Sequence, residues 1–245
     1  MSTWASGETP RQVPYLTARE IERRAMALLA DYERRHGPVA EPPVPIDEIL
    51  ELHLGLQLEF GDLRERLGRP GVLGALLTNE RCVAIDGHLD PNTHPRQEGR
   101  YRFTLAHEVG HWVLHRHLQG ATLVELATEH TSHGGRSRER QRIEVQANLF
   151  ASCLLMPRLL VRQVWRDIRG SDSPFCVDAV DERSSYATLR AVLRSVLSPY
   201  DERGPDDVLL EHFSRPFAAR FQVSAEAMRI RLEQLQLVIR ADRRR

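Results

Sequence analysis

The sequence contains no lysine: every one of its 34 basic residues is arginine. That bias is a mark of GC-rich coding rather than of function, because 34 acidic residues bring the formal charge to zero. A balanced chain offers no overall electrostatic attraction to nucleic acid or to an anionic membrane. Cysteine is scarce: Cys82, Cys153 and Cys176 are far apart and odd in number. They exclude a disulfide framework and a C-x-x-C pair, and they suit a reducing cytosol. No apolar run approaches the roughly 18 residues of a membrane span. The opening stretch MSTWASGETPRQVPYLTARE lacks a basic start followed by an apolar core, so it does not read as a secretory signal. The expectation is a soluble cytoplasmic protein.

At 245 residues the chain can hold one large domain, or one domain with a small helical appendage. Residues 1–15 are polar and proline-containing and read as a flexible arm. LTAREIERRAMALLADYERRHG follows, with a capping box at Thr17 and Glu20, an apolar stripe at Ile21, Ala25, Leu28 and Leu29, and a stop at Gly37. A proline-rich connector leads to the short helix PIDEILELHLG, ended by Gly55. Three strand-like pieces come next, LQLEF (56–60), GVLGALLTN (71–79) and RCVAID (81–86), the last two forming a hairpin. Helices are predicted from about Tyr101 to His117 and from about Glu139 to Met156, separated by a loop that includes HTSHGGRSR (130–138). The C-terminal third is mainly helical. Helix, small sheet, then helices is an α+β order.

The chemistry concentrates in RFTLAHEVGHWVLH, residues 102–115. Residues four apart share one face of a helix, about 6 Å apart along the axis, so His107 and His111 can aim at one cation. Glu108, turned roughly 100° about the axis, can reach water beside that cation without ligating it. On this stretch alone, two helix histidines packed without metal remain the alternative. A zinc site of this kind needs a third protein ligand and an open position. His115 lies about 12 Å along the axis from His107, too far for a shared ion, and reads as a supporting or helix-end residue; His117 reads as exposed. In RIEVQANLFASCLLMP, Glu144 and Asn148 are four apart on a predicted helix. Glu144 can supply the carboxylate ligand, and Asn148 can accept a hydrogen bond from a ligand histidine and fix its tautomer.

RFTLAHEVGHWVLH followed by EVQANLFASCLLMP closely resembles the ImmA/IrrE family of metallo-endopeptidases, whose hallmarks are R-F-T-x-A-H-E-x-G-H and E-x-x-A-N-x-F-A-x-x-L-L-M-P. The tail FAARFQVSAEAMRIRLEQLQLV also resembles the helical ending of many members, so the likeness spans roughly residues 20–240. Gln146 departs from it, standing where many members carry a second Glu; Glu144 is then the acidic candidate of the motif. The resemblance implies a zincin-like metallopeptidase core over 16–168 and a C-terminal helical region over 169–245. It implies one zinc per chain on His107, His111 and Glu144, with Glu108 as the general base. It further implies a regulatory protein as substrate, typically an XRE-type helix-turn-helix repressor. The strand GVLGALL, with Gly71 and Gly74 allowing close backbone approach, could hold an extended substrate or be an ordinary core strand. Spacing does not choose an oxyanion donor among Tyr101, Arg102 and His115.

Two other functions stay open. A non-catalytic partner could keep the zinc as a structural anchor and titrate a repressor or toxin. Alternatively, residues 213–237 read as helix, turn, helix, with Gln222 where a turn glycine is expected and Ser224 as the cap of the second helix, a potential DNA-binding module. Its near-balanced charge disfavours direct DNA binding, and helices that pack on the peptidase are the plainer reading.

Overall fold

The computed structural model describes residues 13–117, 138–177, 185–196 and 204–240. Most of the predicted arm, the 130–137 part of the predicted loop and the terminal ADRRR lie outside the described residues. The fold is α+β, with two compact units: residues 13–38 with 45–154, and residues 39–44 with 155–240.

In the first unit, α1 (Ala18–His36) opens on the expected reciprocal cap. Glu20 N–H donates to Thr17 Oγ1 over 3.3 Å, and Thr17 N–H to Glu20 Oε2 over 2.8 Å. Its predicted stripe is buried, and Gly37 ends it at φ 107°, a value that glycine alone adopts at no cost. A one-turn α2 (Ile46–Glu48) continues as a π-helical turn, Ile49–His53. Three strands follow, β1 (Gln57–Gly61), β2 (Gly74–Leu77) and β3 (Cys82–Asp86), with a short α3 (Leu63–Leu67) after the first. The order is β1-β3-β2, with β2 and β3 an antiparallel hairpin as predicted and β1 parallel to β3. Among the described residues β2 is therefore an edge strand. α4 (Glu98–His115) starts three residues before the predicted point, because a 3₁₀ turn over Pro95–Gln97 feeds straight into it. α5 (Arg138–Leu155) follows it in the chain.

The second unit contains α6 (Arg158–Arg169), α7 (Ser185–Val196), α8 (Pro205–Phe221) and α9 (Ala225–Gln234). A two-residue pairing of β4 (Phe175–Cys176) with β5 (Val238–Ile239) joins them. Its core is aromatic: Trp165 stacks on Phe217 at 5.3 Å, and Phe175 on Phe213 at 4.2 Å. Gln222 takes the left-handed conformation at φ 52° between α8 and α9, and Ser224 caps α9, as the turn reading required. Among the described residues no helix is long and apolar enough to cross a membrane.

Candidate metal centre

α4 is buried nearly all round: Leu105, Ala106, Val109 and Leu114 are inaccessible, and so is His111. Gly110 is the point of closest approach to α5. A Cβ there would lie 3.2 Å from the Ala147 carbonyl oxygen and 3.3 Å from Phe150 Cβ. Glycine therefore lets the two helices close far enough for side chains of both to share one site.

They do share one. His107 Nε2 and His111 Nε2 lie 2.8 Å apart. The Glu144 carboxylate comes within 3.3 Å of the first and 3.8 Å of the second. One donor atom from each of the three residues lies within 4.8 Å of the others. Neither Glu108 nor His115 belongs to this cluster, and His117 is exposed.

The remaining ring nitrogens show how the donors are aimed. His107 Nδ1 is 2.8 Å from Asn148 Oδ1, an acceptor, so this nitrogen carries the hydrogen. For His111 the run of hydrogen bonds begins at the Pro14 backbone carbonyl. Gln146 Nε2 donates to Pro14 O over 2.9 Å, which turns Gln146 Oε1 toward His115 Nε2, also at 2.9 Å. His115 Nε2 must then be the donor. Burial pushes the His115 pKa down to about 4, against the pull of Gln146, so the ring is neutral and keeps a lone pair on Nδ1. That lone pair accepts from His111 Nδ1–H over 3.2 Å. His111 Nε2 is left unprotonated and faces His107 and Glu144.

Two imidazoles and a carboxylate thus converge, and Glu144 Oε1 is buried without a hydrogen-bond partner. Such a donor set fits a divalent cation, and two nitrogens with one oxygen match a zinc site that keeps a position open. Burial opposes charge on His107, but Glu144, Glu108 and Asn148 together hold its pKa above the usual value. Burial, then His107 and His115, hold His111 well below the ordinary range.

Glu108 stands beside the cluster. Burial lifts its carboxyl to about 7, and Glu144 adds to this, while His107 and the Leu76 backbone amide pull it down. Its Oε1 is buried with no partner. On β2, a Cβ at Gly74 would lie 3.0 Å from this oxygen and 2.6 Å from Thr104 Cγ2, so only glycine fits. The close approach expected of both strand glycines holds at Gly74 alone. Gly71 has no neighbour within 4 Å, and its requirement is the positive φ of 77°. The β2–β3 register, with Asp86 N–H donating to Leu73 O over 2.9 Å, leaves the amide groups of Gly74 and Leu76 on the outer edge. Of the oxyanion candidates, Tyr101 donates its hydroxyl to Asp47 and His115 uses both ring nitrogens in the chain above.

Sequence reasoning missed the part played by Gln146. The signal was faint: a glutamine one turn before Phe150 on an apolar helix. In the structure it is 2% exposed. Among family models, residues 80–184 match Peptidase M78, the IrrE N-terminal-like domain. The match contains both motif helices and stops short of α8 and α9. A search of curated proteins gives no match to the chain.

Proposed function

We propose, on the match of residues 80–184 to the IrrE N-terminal-like domain of Peptidase M78, that this chain is a zinc-dependent endopeptidase acting on a regulatory protein. The observation that carries the proposal is the convergence of His107, His111 and Glu144 beside a buried carboxylate, Glu108, that is outside the donor set. His107, His111 and Glu144 would hold one zinc, which when bound polarises a peptide carbonyl and acidifies water. Glu108, poised near neutrality, takes a proton from the attacking water. The water oxygen bonds to the carbonyl carbon, the C–N bond breaks, and Glu108 delivers the proton to the departing amine. Asn148 holds the His107 ring, and His115 with Gln146 holds that of His111.

The outer edge of β2 supports a peptide substrate. The outward amide and carbonyl of Gly74 and the outward carbonyl of Leu76 can pair with an extended chain laid beside Glu108, whose carboxyl already takes the Leu76 amide. An XRE-type helix-turn-helix repressor is the substrate we propose, cut in an exposed extended segment in the cytoplasm. The rival DNA-binding reading has the right corner between α8 and α9, but among the described residues two arginines of α9 are already engaged. Arg229 pairs with Asp207 and Glu233 at 3.2 and 3.3 Å, and Arg231 is 2% exposed with its Nε donating to Met156 O. A purely structural zinc would have no use for Glu108.

Elemental mass spectrometry tests the site first: about one zinc per chain is expected, with a large loss in Glu144→Ala. Incubation with XRE-type helix-turn-helix repressors, and with a mixed peptide library, tests the activity. Zinc-loaded protein that cuts neither would sink the enzymatic reading and leave the structural anchor.

A further inference from the structure

A second concave site lies in the first unit, a cavity of about 690 Å³ that shares no residue with the donor cluster or with β2. It is walled by α1, the end of the π-helical turn, the hairpin residue Arg81 and the last turns of α4. In a chain of zero net charge, four guanidinium groups line it, those of Arg24, Arg35, Arg81 and Arg116. Against them stands one carboxylate, Asp31, which is already occupied: Arg35 lies 3.2 Å from it and His53 Nε2 3.1 Å. Among the described residues neither Arg24 nor Arg116 has a carboxylate at ion-pair distance.

The cations are held in place. Arg81 and Arg116 each place the guanidinium carbon 5.2 Å from the centre of the Trp112 ring. Arg81 also donates to the carbonyl oxygens of Leu54 and Gly55, at 2.9 and 3.3 Å. His53 also lines the cavity, with its side chain 3% exposed and its Nε2 3.1 Å from Asp31.

We propose that this cavity binds a small anion carrying two or more phosphate groups. Planar guanidinium forks match phosphate oxygens, and several forks facing one spent carboxylate call for more than one negative charge. A few hundred Å³ suits a small molecule rather than a polymer. Trp112 and Arg116 directly follow His111 and His115 on α4, the helix that carries two of the metal donors.

The test is calorimetric titration of the full chain with inorganic pyrophosphate in phosphate-free buffer. Saturable binding at about one site is expected, weakened at least about tenfold in Arg24→Ala/Arg116→Ala. The same affinity is expected in Arg64→Ala/Arg220→Ala, which removes equal charge elsewhere, and in Glu144→Ala, where the metal donors are broken. If the double variant fails to fold, Arg116→Ala alone, at an exposed position, should weaken binding at least about threefold. Absence of saturable heat, or equal weakening in the control pair, would overturn the proposal. Loss of binding in Glu144→Ala would overturn it by assigning pyrophosphate to the metal cluster. Tighter binding of a glutamate octapeptide that displaces pyrophosphate would overturn it in favour of an acidic peptide.

Discussion

His115 Nε2 donates to Gln146 Oε1 across 2.9 Å, and this bond joins α4 to α5 directly behind the metal donors. It determines which nitrogen of His111 is free, although neither residue is a ligand. Replacing Gln146 with Leu removes both of its hydrogen bonds and leaves the His111 ring unsupported. Zinc affinity should fall about 10- to 100-fold, read by competition with a chelator. Gln146→Glu keeps an acceptor for His115 but loses the donor to Pro14 O, so its affinity should fall between those of Gln146→Leu and wild type. Equal affinity in all three proteins would mean that the chain from Pro14 does not orient His111.

Glu108→Gln preserves shape but cannot take a proton. Zinc content should stay at the wild-type level while peptide hydrolysis drops about 10²- to 10⁴-fold. Parallel loss of zinc would show instead that Glu108 holds the metal.

Glu108 also makes stability depend on pH in the metal-free protein. Its folded pKa, about 7, lies above the ordinary 4.5 because of burial. The unfolded chain therefore loses this proton first, and the stabilisation present below pH 4.5 is lost as pH rises to 7. The shift corresponds to about 3 kcal/mol. Metal-free Glu108→Gln should thus gain on wild type by up to that amount between pH 4.5 and 7. Urea midpoints at several pH values give the comparison, and a constant difference would mean that the carboxyl is not buried as described.

Gly74→Ala forces a methyl group against Thr104 and Glu108. A destabilisation of about 1–3 kcal/mol is expected, with a fall in hydrolysis because the base is displaced. Gly71→Ala has open space around it and should leave hydrolysis unchanged even though its backbone is strained. Activity loss in the second variant and not the first would reverse the roles of the two glycines.

Much of this was legible in the sequence where the determinants are local. Thr17 and Glu20 cap α1 from three residues apart, and the 3.6-residue period of Ile21, Ala25 and Leu28 announces its buried face. His107, His111, Glu144 and Asn148 follow from four-residue spacing on two helices, and the hairpin from its polar turn. The parallel pairing of β1 with β3 was not legible, since it depends on a return of the chain with no turn signature. Gln146 was not legible either. Its carbonyl partner Pro14 is 132 residues away, and nothing in a lone glutamine advertises that distance. The arginine-lined cavity draws on four separate segments, each of which reads alone as an ordinary solvated face.

His111 and Glu144 stand 33 residues apart in the chain yet meet across the α4–α5 contact at Gly110. A cation held between them is a removable staple across 33 residues of sequence, and such a cross-link restricts the unfolded chain far more than the folded one. The lifetime of the folded first unit would then follow the metal supply of its surroundings. Scarcity would silence the protein twice, by emptying the site and by exposing the chain to degradation.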